Sequence, residues 1–216
     1  MLEEMASFFE KRLTGSDQHM LTEIEGAAQF YEFTAKQLPI AMNCNVLDLG
    51  CGTGLELEAY LARNGSACIT GIDLSQGMLN ALKDKFSDRQ MELICGSYFY
   101  LPFGEDRFDA AVSVESLHHF TAEQKLPLYQ KLYASLKAKG YFILTDYFAE
   151  SEAKEKEYFE TLQQLRAEQG ITGSEFYHYD TPLTVGHEIR VLRAAGFSRC
   201  TVLRSWGATC TVKIEK

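Results

Sequence analysis

The sequence has no apolar run approaching the ~18 residues of a membrane-spanning helix, so no helical span is expected. It also lacks a surplus of positive charge: 21 Lys+Arg stand against 30 Asp+Glu, a formal charge of -9. General binding of nucleic acid needs a positive footprint along the phosphates, so a polyanion is not the expected partner. Six cysteines are present (Cys44, Cys51, Cys68, Cys95, Cys200 and Cys210), yet none falls in a C-x-x-C pair. Three of them lie in strand-like apolar runs, which points to reduced, mostly buried thiols and away from a zinc site. Glu3 and Glu4 stand where a signal peptide would carry basic residues, so a cytoplasmic protein is expected. There is no internal repeat and no low-complexity tract.

What is present is ordinary globular material: 216 residues, 46% hydrophobic and 24% charged. That suffices for one core, and a single domain over residues 1–216 is expected. From Asn45 onward short apolar runs alternate with amphipathic segments. Val46 to Leu49 reads as a buried strand, and a glycine turn leads to a helix from about Leu55 to Arg63, stopped by Asn64-Gly65. Ala67 to Ile72 reads as a second strand, and Ser75 as the N-cap of a helix with Met78, Leu79, Leu82 and Phe86 on one face. Met91 to Cys95 and Phe108 to Val114 are the third and fourth strands. Thr121-x-x-Gln124 forms a capping box, Pro127 suits the first turn of its helix, Gly140 ends that helix, and Tyr141 to Asp146 is the fifth strand.

This alternation implies right-handed crossovers, hence an α/β, Rossmann-like doubly wound sheet, mostly parallel and covered on both faces. The ending departs from the pattern. A helix over Pro182 to Ala195, closed by Gly196, precedes two runs, Cys200 to Arg204 and Thr209 to Ile214, joined by a short turn. The expected seventh strand is therefore antiparallel to its neighbour. Residues 1–40 show helical spacing of aromatics (Phe30, Tyr31, Phe33) and no strand signal, which suggests a helical cap. Residues 148–181 interrupt the step from fifth strand to final helix, first with an amphipathic stretch and then with Phe176-Tyr177-His178-Tyr179. Insertions of this length in a compact domain are usually functional, and a lid is expected here.

The chemistry concentrates in Val46-Leu47-Asp48-Leu49-Gly50-Cys51-Gly52-Thr53-Gly54. Glycines after a buried strand let backbone approach a ligand closely. The G-x-G-x-G spacing departs from the G-x-G-x-x-G dinucleotide fingerprint. Asp48, just before the glycines, disfavours a pyrophosphate and favours a cationic or amino-bearing ligand. Asp73 closes the second strand, where a carboxylate can accept both hydroxyls of a ribose. With the fourth-strand segment Phe108 to Phe120 and the turn Leu136 to Tyr141, this order of motifs resembles the class I S-adenosylmethionine-dependent methyltransferases over about residues 45–216.

The resemblance implies roles position by position. Asp48 and the turn Gly50, Cys51 and Gly52 would hold the methionine part of S-adenosyl-L-methionine. Asp73 would bind the ribose, and Leu74 and Met78 would pack on adenine. Ser97 stands where many members carry an adenine-reading acid, with Tyr98 beside it, and Glu115 would line the methionine end. Thr14-Gly15-Ser16-Asp17-Gln18-His19-Met20 occupies the place of a segment that folds over the cofactor in many members. His118 and His119 are the candidates for an acceptor-side base. Neighbours on an extended segment point to opposite sides, so one of them is expected to be structural. No third ligand has suggestive spacing, so no metal is expected from the pair. Tyr177, His178, Tyr179 and Asp180 are candidates to line an acceptor pocket or, in the plainer reading, to staple the lid to the sheet, and Tyr147, just past the fifth strand, has the same two readings. The expected reaction is in-line methyl transfer to a small molecule. The rivals are a protein or transfer-RNA acceptor, a nicotinamide-dependent oxidoreductase, and a non-catalytic regulator that binds the same cofactor. The atom methylated and the oligomeric state are not legible.

Overall fold

A computed structural model of the chain describes residues 1–13, 15–173 and 175–216; Thr14, at the head of the candidate covering segment, lies outside them. The chain opens with β1 (Glu3–Glu4), α1 (Met5–Lys11), α2 (Ser16–Glu23) and α3 (Ala27–Gln37). The alternating part follows: β2 (Asn45–Leu49), α4 (Leu55–Arg63), β3 (Cys68–Asp73), α5 (Gln76–Lys85), β4 (Glu92–Cys95), β5 (Phe108–Val114), α6 (Ala122–Ser135) and β6 (Leu136–Tyr147). The rest comprises α7 (Glu152–Glu168), β7 (Tyr177–His178), α8 (Val185–Ala194), β8 (Arg199–Trp206) and β9 (Thr209–Glu215).

Seven strands form one sheet in the order β4-β3-β2-β5-β6-β9-β8. The first five run parallel, and β9 enters between β6 and β8 antiparallel to both. The strand order reverses between β2 and β5's side and β3's side, so the carboxyl ends of β2 and β5 flank the crevice where ligands of open α/β sheets bind. Side chains alternate across the sheet. Val46, Ala110, Val112 and Ile143 join residues of α3, α4 and α5 in one apolar cluster. Leu47, Leu49, Ala111, Phe142 and Leu144 join residues of α6 and α8 in the other.

Local signals place most boundaries. Ser75 accepts from Met78 N, and Thr121 with Gln124 forms the reciprocal capping box. Three boundaries differ from expectation. That capping box starts α6 early, so Pro127 falls inside the helix rather than in its first turn. The helix stops at Ser135, before Gly140, and residues 136–140 run extended as part of β6, with a register shift against β5 between Phe108 and Ala110. Thr184, not Pro182, begins α8, because its hydroxyl accepts from His187 N.

The larger surprise lies in residues 1–4, where no strand was expected. β1 pairs antiparallel with β7, Glu3 opposite His178 and Glu4 opposite Tyr177. Met5 N donates to Phe176 O at 2.9 Å, and the Phe8 ring stacks on His178 with centroids 3.4 Å apart. The aromatic run thus clamps the N-terminal segment. α7 has no buried residue, although Tyr158, Leu162 and Leu165 are half-buried. No helix among the described residues is long and apolar enough to cross a membrane.

Candidate functional site

One cavity lies over the carboxyl ends of β2, β3 and β5, bounded by the β2–α4 glycine turn, Asp73, Leu74, Met78, Tyr98, Glu115 and His119. Its cover comes from α1 (Met5, Phe9) and α2 (Asp17, Met20), with Tyr31 of α3 beside them. The cover is pinned by polar contacts at both ends. On α1, Glu10 accepts from Ser75 Oγ at 2.5 Å and from Gly77 N at 3.2 Å, placing a carboxylate at the positive N-terminus of α5. On α2, Asp17 accepts from Thr53 Oγ1 and pairs with Lys85 at 2.9 Å.

The glycine turn is built by backbone geometry. Gly50 has φ 74°, and a Cβ there would stand 2.1 Å from Ser116 Oγ. Gly50 N donates to Ile72 O at 2.8 Å, tying the turn to β3. Asp73 braces the same turn: its carboxylate accepts from Gly52 N at 2.9 Å and from Ser75 N at 2.8 Å. A carboxylate offers about four acceptor positions, so Asp73 retains capacity toward the cavity. Burial raises its pKa above the ordinary value against the lowering effect of those two N–H groups.

Asp48 does not line the cavity. It is 0% exposed, and neither carboxylate oxygen has a well-aligned hydrogen-bond partner among the described residues. Burial, then the neighbouring Glu56 charge, holds its carboxyl well above the usual range. Glu56 does line the cavity and is likewise buried, with its pKa raised chiefly by burial. Sequence reasoning missed Glu56 because an acid in the first turn of a helix is ordinary dipole complementarity.

The structure gathers Gly50, Cys51, Gly52, Asp73, Leu74, Met78, Tyr98, Glu115 and His119 around this cavity and leaves the other candidates elsewhere. Ser97 is corrected: it does not line the cavity, and its hydroxyl accepts from Phe99 N at 3.3 Å in a local turn. Tyr98 faces inward in its stead, its hydroxyl 3.1 Å from Ser116 Oγ. Tyr147, Tyr177, His178 and Tyr179 also lie outside the lining. Tyr147 OH meets Tyr158 OH at 2.9 Å, and Tyr177 and His178 are spent on the pairing with β1. The plainer stapling reading is the nearer one, although the strand stapled is the N-terminal one rather than the sheet.

Of the two histidines only His119 lines the cavity, and they do not point to opposite sides as an extended segment would have them: both lie in a turn after β5 with ring centroids 4.0 Å apart. His118 Nδ1 lies 2.5 Å from Asp146 Oδ1, while Asp146 Oδ2 accepts from Leu117 N at 2.8 Å. Burial opposes charge on His118, but Asp146, with Glu115 and Asp180, outweighs it and holds the imidazole at about 9. Burial and neighbouring His118 push His119 down to about 4. Glu115, whose φ is 49°, is raised to about 7 by burial and receives a hydrogen bond from Thr209 Oγ1 at 3.1 Å.

Comparison with known proteins adds three findings. A family model described as a methyltransferase domain matches residues 46–140. The chain is 27% identical over 152 residues to the 24-methylenesterol C-methyltransferase 2 of Arabidopsis thaliana, covering 67% of this chain and 41% of that protein. It is 32% identical over 108 residues to the tRNA (carboxymethyluridine(34)-5-O)-methyltransferase of the same organism, covering 50% of this chain and 25% of that one. The chain thus spans less than half the length of these curated relatives. Among solved structures, a SAM-dependent methyltransferase from Thermotoga maritima superposes with a TM-score of 0.67 at 18% identity, over 98% of this chain and 99% of that one.

Proposed function

We propose that this chain, whose residues 46–140 match a methyltransferase domain, transfers a methyl group from S-adenosylmethionine to a small-molecule acceptor. The observation that carries the reading is the pair of buried acids at the glycine turn, Glu56 lining the cavity and the fully buried Asp48 beside it. A carboxylate is costly to bury unpaired, and a cationic ligand offsets that cost. The donor set therefore fits an ammonium and a sulfonium, and it opposes a pyrophosphate.

When bound, S-adenosylmethionine supplies a methyl group on a positive sulfur whose departure leaves a neutral thioether. This chain's residues supply placement. Asp73 would accept from the ribose hydroxyls, Leu74 and Met78 would pack on the base, and Gly50 to Gly52 would offer backbone at close range. Phe9, Met5 and Met20 exclude water over the reacting centre. Such alignment needs no acid or base unless the acceptor holds a proton at neutral pH. The apolar, enclosing cover supports a small acceptor over a macromolecule; the sterol and tRNA acceptors in the relatives' names differ too much to decide it.

Two variants test the cofactor reading by calorimetry. Asp73→Ala should weaken S-adenosylmethionine binding by about 1–3 kcal/mol, the scale of lost charged hydrogen bonds. Unchanged affinity removes the ribose assignment. Asp48→Asn should weaken binding about 10-fold or more while raising the melting temperature of the ligand-free protein. The sign follows from the raised carboxyl pKa. Its stabilising contribution is complete below the unfolded value near ~3.9 and is lost as pH rises through the folded value, so the ligand-free protein carries a penalty at neutral pH. Relief of each ~1 kcal/mol adds about 2–4 °C for a chain of this size. A lower melting temperature at pH 7 contradicts the argument. Titration with NADH in place of S-adenosylmethionine tests the oxidoreductase rival. Release of S-adenosylhomocysteine over a metabolite library separates an enzyme from a regulator that only binds.

A further inference from the structure

The expectation that the histidine pair holds no metal rested on the want of a third ligand, and folding supplies one from far along the chain. Asp180, just past β7, brings Oδ1 to 3.1 Å from His119 Nδ1 and 3.6 Å from His118 Nε2. We propose that His118, His119 and Asp180 form a binding site for a first-row divalent transition cation in the wall of the cavity.

Four observations converge on it. One donor atom from each of the three residues lies within 4.8 Å of the other two. Tetrahedral ligation at ~2.0–2.2 Å places ligand atoms about 3.3 Å apart, close to the two separations to Asp180. Second, His119 Nδ1 is buried and, among the described residues, its sole polar neighbour is Asp180 Oδ1, which it meets without well-aligned hydrogen-bond geometry. Third, His118 Nδ1 faces Asp146 at 2.5 Å, which turns Nε2 toward Asp180. A carboxylate behind a histidine is the outer-shell partner that orients and strengthens a ligating imidazole. Asp146 is itself fixed by Leu117 N and is 2% exposed. Fourth, two imidazoles with one carboxylate leave coordination positions open, and His119 lines the cavity, so an acceptor heteroatom can reach the cation from there.

The donor set selects the class of ion. Imidazole nitrogen suits zinc, iron(II), cobalt(II) or nickel, whereas magnesium and calcium prefer all-oxygen shells. Cation binding is independent of the methyl-transfer reading and is measured without the cofactor.

The test uses the full chain, stripped with chelator and titrated with zinc(II) and cobalt(II) against a chromophoric competitor. One equivalent should bind with a dissociation constant of about 1 μM or tighter. Cobalt(II) should show d–d absorption without a thiolate charge-transfer band, which distinguishes this site from the exposed Cys68 and Cys95. Asp180→Asn and His119→Gln should each weaken binding about 100-fold, while Cys68→Ser/Cys95→Ser leaves it unchanged. Circular dichroism and S-adenosylmethionine calorimetry on the same preparations report whether each variant is folded. Failure of the wild-type chain to bind, a thiolate band, or undiminished affinity in folded Asp180→Asn overturns the proposal. Magnesium(II) binding as tightly as zinc(II) also overturns it.

Discussion

Glu188→Ala should cost the protein about 3–5 kcal/mol of stability, the scale of breaking a buried ion pair from one side. Lys125 Nζ of α6 meets Glu188 Oε2 of α8 at 2.6 Å, and Tyr129 OH donates to Oε1 of the same carboxylate. The side chains are 2% and 1% exposed, so neither solvent nor salt screens them. Alanine leaves an ammonium in the apolar layer between α6, α8 and the sheet with nothing to neutralise it. At about 2–4 °C per kcal/mol, the melting temperature should fall by roughly 6–20 °C. The double replacement Lys125→Met/Glu188→Gln removes the stranded charge and keeps an acceptor for Tyr129. It should recover most of the loss, because a buried pair gives little over a well-packed neutral one. Urea denaturation of the three proteins measures this. A single variant within about 1 kcal/mol of the parent would contradict the burial of the pair.

Gly50→Ala should combine two penalties at the site itself. An L-residue at φ 74° costs about 1–2 kcal/mol, and the added Cβ meets Ser116 Oγ at 2.1 Å and Ser116 Cβ at 2.7 Å. Overpacking of that kind costs about 1–3 kcal/mol, so the sum is about 2–5 kcal/mol. Relief requires the turn or Ser116 to move, and the turn carries Cys51 and Gly52 with it, so cofactor affinity should fall as well. Two comparisons separate the terms. Gly52→Ala, at φ 49° with nothing within 4 Å of its Cβ, should show the backbone penalty alone. Gly50→Ala/Ser116→Gly should recover the packing part only. Equal stability of Gly50→Ala and Gly52→Ala would show that the close approach to Ser116 has no energetic weight.

Much of the sheet and half of the site were legible because their signals are local. Ser75, Thr121 and Gln124 mark helix starts through their own hydrogen bonds, and Asp73 sits at a strand end that any alternating reading finds. Asp48 was legible as an acid placed just before the glycines. Its full burial and its closeness to Glu56 were not, because Glu56, two residues past Gly54, resembles an ordinary first-turn acid. The aromatic run Phe176 to Tyr179 was legible as a candidate for either pocket lining or stapling, but what it would hold was not. Its partners, Glu3, Glu4 and Phe8, form a strand and helix too short to leave a periodic signal.

The linear order of residues was enough to determine the sheet, its reversed final strand, the glycine turn and the acidic residues around it. Each of these depends on neighbours within a few positions, where caps, turns and alternation act directly. Tertiary structure alone decided that α1 and α2 cover the cavity, that His119 rather than His118 faces it, and that Asp180 joins both. Those outcomes depend on segments far apart in sequence, as Glu10 is from Ser75 at 65 positions, brought together by burial of apolar area. That force has no direction and leaves no mark on spacing along the chain.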